Sequence, residues 1–395
     1  MPVTAIHPAV PVLIIGLLTC AVAAVLVRST SFYRTLIDKE VSSTRAHSID
    51  GLRGYLALGV VFHHVVINYQ YYQSGEWALT PSSLNTFLGR GSVAFFFMTT
   101  AYLFWSRALN ESGRVDAFRF YVSRLRRMVP MYLVSAGLVV ITALALTHLR
   151  LLVRPLDLTR QVMSWALFTI PGAPNINTFN QTSLINTVLW SLVYEWKFYF
   201  LFPFLAIFAR TWLQWGLATV AALYIGLYSD SQIEWFFLAG CVAAMLTHAR
   251  VARNLATGWI GASTAIVCIA VTIKCQPMVY SWLGASLLFV AFFIFASGNT
   301  MFGILTWRPA RLLGVLSYSI YLLHNWALYL VSKLVNHYTS VGALSERPYW
   351  FLGAFVVLLT LTLAAVTYRF IEYPCLQSRA RNAPKASNPK HAVAG

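Results

Sequence analysis

Apolar stretches near 9–27, 52–70, 88–105, 128–147, 185–208, 212–228, 232–248, 257–273, 277–297, 312–334 and 349–370 follow one another along the chain, separated by more polar intervals. Each is about 17 to 25 residues, the length a helix needs to cross the hydrocarbon core of a bilayer. Composition agrees: with 58% of 395 residues hydrophobic and only 10% charged, there is too little polar surface to coat a soluble globule of this size. The expected fold is all-α, a polytopic transmembrane helix bundle of about eleven spans.

A net charge of +17 invites a nucleic-acid reading, which the placement of the charges opposes. If the first span enters from outside, 21 of the 29 Lys and Arg fall on one side, in 28–53, 106–127, Arg210, 249–256, 298–311 and 369–395. Arg90, Arg150, Arg154, Arg160, Lys274, Lys333 and Arg347 fall on the other, and Lys197 lies within a span. This threefold bias is the positive-inside signature, and it puts the C-terminus in the cytoplasm with no nucleic-acid partner expected.

Positions 1–27 carry no Lys or Arg, whereas a secretory signal needs basic residues ahead of its apolar core. The first span therefore reads as a retained anchor with its N-terminus outside. Cys20, Cys241, Cys268, Cys275 and Cys375 show no metal-ligand spacing and read as small hydrophobes, and no metal is expected. On the outer side, 148–184 is long for a loop. Its apolar patch VMSWALFTI is too short to span and is expected in the interface or as a re-entrant dip. The tail from Ser378 is polar and basic, as a disordered segment against anionic headgroups would be.

Ionisable groups at membrane depth usually mark function, because each costs several kcal/mol unless compensated. His63, His64, Glu195, Lys197 and His324 all sit in apolar runs. Arg53 and His64 are eleven positions apart, nearly three helical turns, so they share a face about 16 Å apart along the axis. His63 projects about 100° away and reads as structural. His64 is open between a general base and a packing histidine. Glu195 is open between orienting that imidazole and a salt bridge, with Lys197 at i+2 facing elsewhere. His324 is open between packing and substrate hydrogen bonding. Arg124 and Arg127 share a helix face and suit bidentate phosphate recognition, although basic residues also flank spans for topological reasons.

In these residues the chain resembles acyltransferase family 3, a family of integral membrane O-acyltransferases. Ile49-Asp50-Gly51-Leu52-Arg53-Gly54, nine further residues and His64 match its opening motif, and FFFMTTAYLF (Phe95 to Phe104) matches its next helix. Arg124 and Arg127 ahead of Pro130 follow, then Trp190-Ser191-Leu192, Glu195, Phe198-Tyr199 and Pro203, then Ser317 to His324, then Arg369 to Pro374. The ordered set is far more specific than any member. Two positions depart: Thr100-Ala101 replaces the usual Ser-Gly, and Trp196 replaces a second acidic residue.

The resemblance implies a ten-helix core with its N-terminus inside, so the first span is an addition. The chain divides into an anchor and linker (1–45), a membrane acyltransferase domain (46–376) and a basic tail (377–395), with no esterase-like domain expected to follow. It further implies a protein of the bacterial inner membrane that uses acyl-CoA, most simply acetyl-CoA, as co-substrate, with no tightly bound cofactor. Phosphates would sit at Arg53, Arg124 and Arg127, and His64 with Glu195 would activate a hydroxyl of a cell-envelope glycan such as O-antigen, or of a lipid-linked sugar. Thr100, Tyr199 and His324 are candidates for lining the substrate path. A proton-coupled transporter with a His64, Glu195 and His324 relay is the rival, for which a repeated half would be expected and none is found.

Overall fold

The computed structural model describes residues 6–41, 47–210, 212–275 and 278–381. Among them there are helices and turns and no β-strand. Every apolar stretch named above holds an α-helix of 15 residues or more. Ala9–Ser29, Ser83–Asn110, Ala117–Leu146 and Glu346–Gln377 are long and apolar enough to cross a membrane by length and composition. His47–Ser74 and Arg308–Tyr338 are also long but more polar, and both are largely buried among the others.

These last two, the His64 helix and the His324 helix, form the most extensive helix pair of the described residues. Their closeness is written in glycines. A Cβ at Gly314 would lie 1.8 Å from the Asp50 carbonyl oxygen and one at Gly54 would lie 2.7 Å from that of Ala310, while one at Gly51 would lie 1.8 Å from that of Leu305, in the turn Ile304–Thr306 that leads into the His324 helix. The two glycines of the Asp-Gly-Leu-Arg-Gly run are thus contact points, and small residues are what let membrane helices approach backbone to backbone.

Three irregular segments set the rest. Phe87–Gly91 is π-helical, and Gly89 leaves room for the His63 ring, which donates from Nδ1 to the Asn85 carbonyl at 2.7 Å. Tyr368–Glu372 is a second π segment, and its Glu372 turns inward to accept from the Ser319 hydroxyl. The third departs from the sequence reading: the 185–208 stretch is helical only from Trp190, since the short helix Thr182–Ile185 ends at an extended Asn186. Asn186 is buried and donates from its amide to the Ser135 hydroxyl (2.8 Å) and the Leu322 carbonyl (3.0 Å). Asn side chains compete with the helix for such bonds, and non-helical backbone at this depth is tolerated because protein surrounds it. In the opposite sense, the helix Ala117–Leu146 runs through Pro130, so Arg124 and Arg127 lie inside it.

The 148–184 segment holds an amphipathic helix, Pro155–Ala166, whose Trp165 is buried and donates to the Pro174 carbonyl. Asn177 is wholly buried, donating to Thr147 and to the Arg150 carbonyl and accepting from the Leu152 amide. It fastens the loop and faces no solvent. The Ala9–Ser29 helix packs on the His324 helix and on Glu346–Thr367, and Ser31–Val41 follows it beside Arg308. At the C-terminal end, helix Tyr373–Arg381 continues past the expected boundary at 377, and the rest of the predicted tail lies outside the described residues.

Candidate active site

Six of the eight candidate residues line one cavity of about 670 Å³: Arg53, Thr100, Arg124, Arg127, Glu195 and Tyr199. Four helices supply them, which is why no local pattern in the sequence groups them. Glu195 and Tyr199 are one turn apart on the same helix, and the tyrosine hydroxyl donates to the carboxylate at 3.3 Å. Thr100 donates to the other carboxylate oxygen at 3.0 Å, so the hydroxyl retained at this position is used. The neighbouring Ala101 fits because Gly240 stands opposite it, where a Cβ would come within 2.8 Å. Lys197 points away, exposed, with its ammonium 4.8 Å from the Tyr194 ring centroid. Trp196, in place of a second acid, is buried against Phe168 and Tyr199.

A wider cavity of about 860 Å³ lies on the other side of the guanidinium groups and shares Asp50, Arg53, Arg124 and Arg127 with the first. The three arginines therefore form a collar between an inner chamber and an opening at the basic end of the bundle. Arg124 packs its guanidinium over Phe104, donates to Ser123, and keeps a buried Nε without a hydrogen-bond partner. An unpaired buried donor is costly, and an anionic ligand would satisfy it.

At its far end the inner chamber is lined by Phe96, Ser191 and Tyr321, with the Ser191 and Tyr321 hydroxyls 2.7 Å apart. His324 is three residues beyond Tyr321 on the same helix, about 4.5 Å further along the axis. Its Nε2 lies 2.8 Å from Nδ1 of His64. This corrects the expected partnership: the group that orients His64 is His324, while the hydrogen bonds of Glu195 go to Thr100 and Tyr199. The chain of bonds fixes the tautomers. Nδ1 of His324 faces the Ile320 carbonyl at 3.1 Å, and because a carbonyl only accepts, that nitrogen carries the proton. Nε2 of a neutral His324 is then an acceptor, His64 must donate from Nδ1, and Nε2 of His64 is left with a free lone pair.

Trp77 stacks on His64 from the end of the bundle opposite the collar, with ring centroids 5.9 Å apart. Beside it a small indentation is lined by Asn68, Tyr71, Asn325 and Tyr329. The sequence gives no signal for Trp77, Tyr321 or Asn325 as site residues, since an aromatic or amide near a span end is also what an interfacial belt holds, and Ser191 stood out only within the Trp190-Ser191-Leu192 motif. His63, 5.1 Å from His64 between ring centroids, is held by Asn85 and takes the structural role expected of it.

Polar residues gathered between apolar helices, with three arginines at one end and a hydrogen-bonded imidazole pair at depth, are the arrangement that group transfer across a membrane would need. Comparison with known proteins gives the family. A family model described as an acyltransferase domain, acyltransferase family 3, matches residues 46–369, and the chain belongs to that family and is an integral membrane protein. It is 25% identical over 383 residues to the O-acetyltransferase OatA of Staphylococcus aureus, covering 86% of this chain and 58% of that protein. It is 24% identical to the putative peptidoglycan O-acetyltransferase YrhL of Bacillus subtilis (82% and 54% covered) and 25% identical to the peptidoglycan O-acetyltransferase OatA of Listeria monocytogenes (83% and 55%). The chain thus spans a little over half the length of these curated relatives. No solved structure matches it.

Proposed function

We propose that the protein is an O-acyltransferase of the bacterial inner membrane, with eleven spans, an outer N-terminus and a cytoplasmic C-terminus, moving an acyl group from cytoplasmic acyl-CoA to a hydroxyl of an envelope glycan. Ten spans are the family core and the helix Ala9–Ser29 is the addition. The observation that carries the reading is the alignment of parts along one path: an arginine collar, an elongated chamber, and an oriented imidazole one turn beyond it.

In this reading the donor phosphates bind Arg53, Arg124 and Arg127, and the pantetheine arm occupies the inner chamber past Glu195. Its thioester passes the Ser191 and Tyr321 hydroxyls to reach His64. The acceptor enters past Trp77. Nε2 of His64 takes the hydroxyl proton as the oxygen attacks the thioester carbonyl, the C–S bond breaks, and the imidazolium returns the proton to the departing thiolate. Holding donor and acceptor in one place is the main contribution to rate. Attack by His64 on the thioester, giving an acyl-histidine, is the competing route, distinguished by label on the protein when acceptor is withheld. The named relatives favour acetyl as the group and a peptidoglycan-like glycan as acceptor, with O-antigen and lipid-linked sugars as the alternatives to test.

The test is incubation of the protein in nanodiscs with radiolabelled acetyl-CoA and extracted envelope glycans. Transfer of label to glycan supports the reading, and absence of turnover with any acyl-CoA, together with donor-independent solute uptake, would replace it with the carrier. Arg124→Ala is expected to raise the donor KM about tenfold or more, in line with about 1.5–3 kcal/mol for a hydrogen bond to a charged group. An unchanged KM would remove Arg124 from the phosphate site. His324→Leu should lower kcat by about 10² or more, because an imidazole left in the wrong tautomer loses most of its activity. The donor KM should stay within twofold; full activity in that variant would reduce His324 to packing.

A further inference from the structure

We infer that the helix Ser31–Val41, which precedes the family-matched residues 46–369, is part of the donor site and receives the adenosine 3′-phosphate end of acyl-CoA; the inference rests on reading the arginine collar as the phosphate site. The wider cavity at the basic end is walled on one side by Phe32, Thr35, Leu36 and Lys39 of this helix, and on the other by the collar with Arg126. The collar is shared by both cavities, so a ligand threaded through it puts its slender end in the inner chamber and its bulky end here.

The wall is built into the fold. The Tyr33 hydroxyl donates to the Ala365 carbonyl at 2.5 Å, Ile37 is fully buried, and Asp38 pairs with Arg308. Phe32 meets Tyr373 edge-on with ring centroids 4.8 Å apart, and the Arg369 guanidinium lies 5.2 Å from the Phe32 ring centroid. The cavity therefore offers what a phosphorylated nucleoside needs. Phe32 and Tyr373 supply aromatic surface for a purine. The lining carries Lys39 and four arginines against the carboxylates Glu40, Asp50 and Glu372, an excess of positive charge. An acyl-pantetheine without the nucleotide has no group to reach this wall. The added segment would thus make the enzyme select the whole coenzyme over its truncated forms.

The test uses the full chain in nanodiscs with two donors, acetyl-CoA and S-acetyl-phosphopantetheine. Thr35→Trp fills the cavity from the wall, and Lys39→Glu reverses the charge there. Each is expected to raise the KM for acetyl-CoA at least fivefold, to keep kcat within twofold, and to leave the KM for S-acetyl-phosphopantetheine unchanged. Thermal unfolding like that of the wild type shows that the fold is intact. If both variants transfer label with the wild-type KM for acetyl-CoA, or if both donors are weakened alike, the inference is overturned while the donor site stands. If the wild type turns over neither donor, the donor-site reading itself fails, and the inference with it.

Discussion

His64→Ala is expected to lower acyl transfer by about 10²- to 10⁴-fold, the usual contribution of a positioned general base, while the protein inserts and purifies normally. Neither neighbouring imidazole replaces it in position: each keeps a basic Nε2, but Nδ1 of His63 is tied to the Asn85 carbonyl and that of His324 to the Ile320 carbonyl, so neither ring swings into the place of His64. The lining of both donor cavities is made by other residues, so donor affinity should stay within twofold of wild type. The loss should therefore fall on kcat. Radiolabel transfer to glycan under saturating acetyl-CoA, with donor binding measured in parallel, separates the two. Wild-type kcat in the variant would sink the catalytic assignment, and a loss confined to donor binding would place His64 on the donor path instead.

Much of this candidate site was legible, because lipid makes a charged residue such as Glu195 conspicuous and the family resemblance marked Thr100 and Tyr199. Thr100, Glu195, Tyr199 and the three arginines were named from sequence, and one chamber holds them. What the sequence withheld was pairing. His64 and His324 are 260 positions apart, and whether they meet depends on how closely two helices pass, a matter of Gly51, Gly54 and Gly314 that hydropathy does not weigh. The assignment of Glu195 to His64 failed for the same reason, since a buried carboxylate and a buried imidazole in one chain attract the inference whatever their register. The break at Asn186 was hidden inside a stretch apolar enough to be read as continuous helix. Among the Asn and Gln residues of 175–181, Asn177 spends its amide on the loop's own backbone, the ordinary use of such residues. The place of the N-terminal segment was also beyond the sequence, because only the fold sets the helix Ser31–Val41 against the cavity that the arginines line from the other side.

Gly314→Ala should be, with Gly51→Ala, among the most destabilising single-methyl changes in the bundle, at about 3 kcal/mol or more, the upper range for overpacking. The added carbon would lie 1.8 Å from the Asp50 carbonyl oxygen, and the obstacle is backbone on both sides, so no rotamer change relieves it. The His64 and His324 helices must then part. A separation of even an ångström breaks the 2.8 Å bond between the two imidazoles, so activity should fall even in the fraction that remains folded. Two further glycines calibrate the effect. Gly54→Ala, whose Cβ would come no closer than 2.7 Å to its neighbours, should be milder, and Gly137→Ala, with nothing within 4 Å, should be neutral or stabilising by about 0.5–1 kcal/mol as helix propensity predicts. Thermal unfolding of the three variants in one detergent, with label transfer measured below each transition, tests the order. Equal stability for Gly314→Ala and Gly137→Ala would show that the helix pair yields freely at this crossing, and that its closeness does not set the geometry of the imidazole pair.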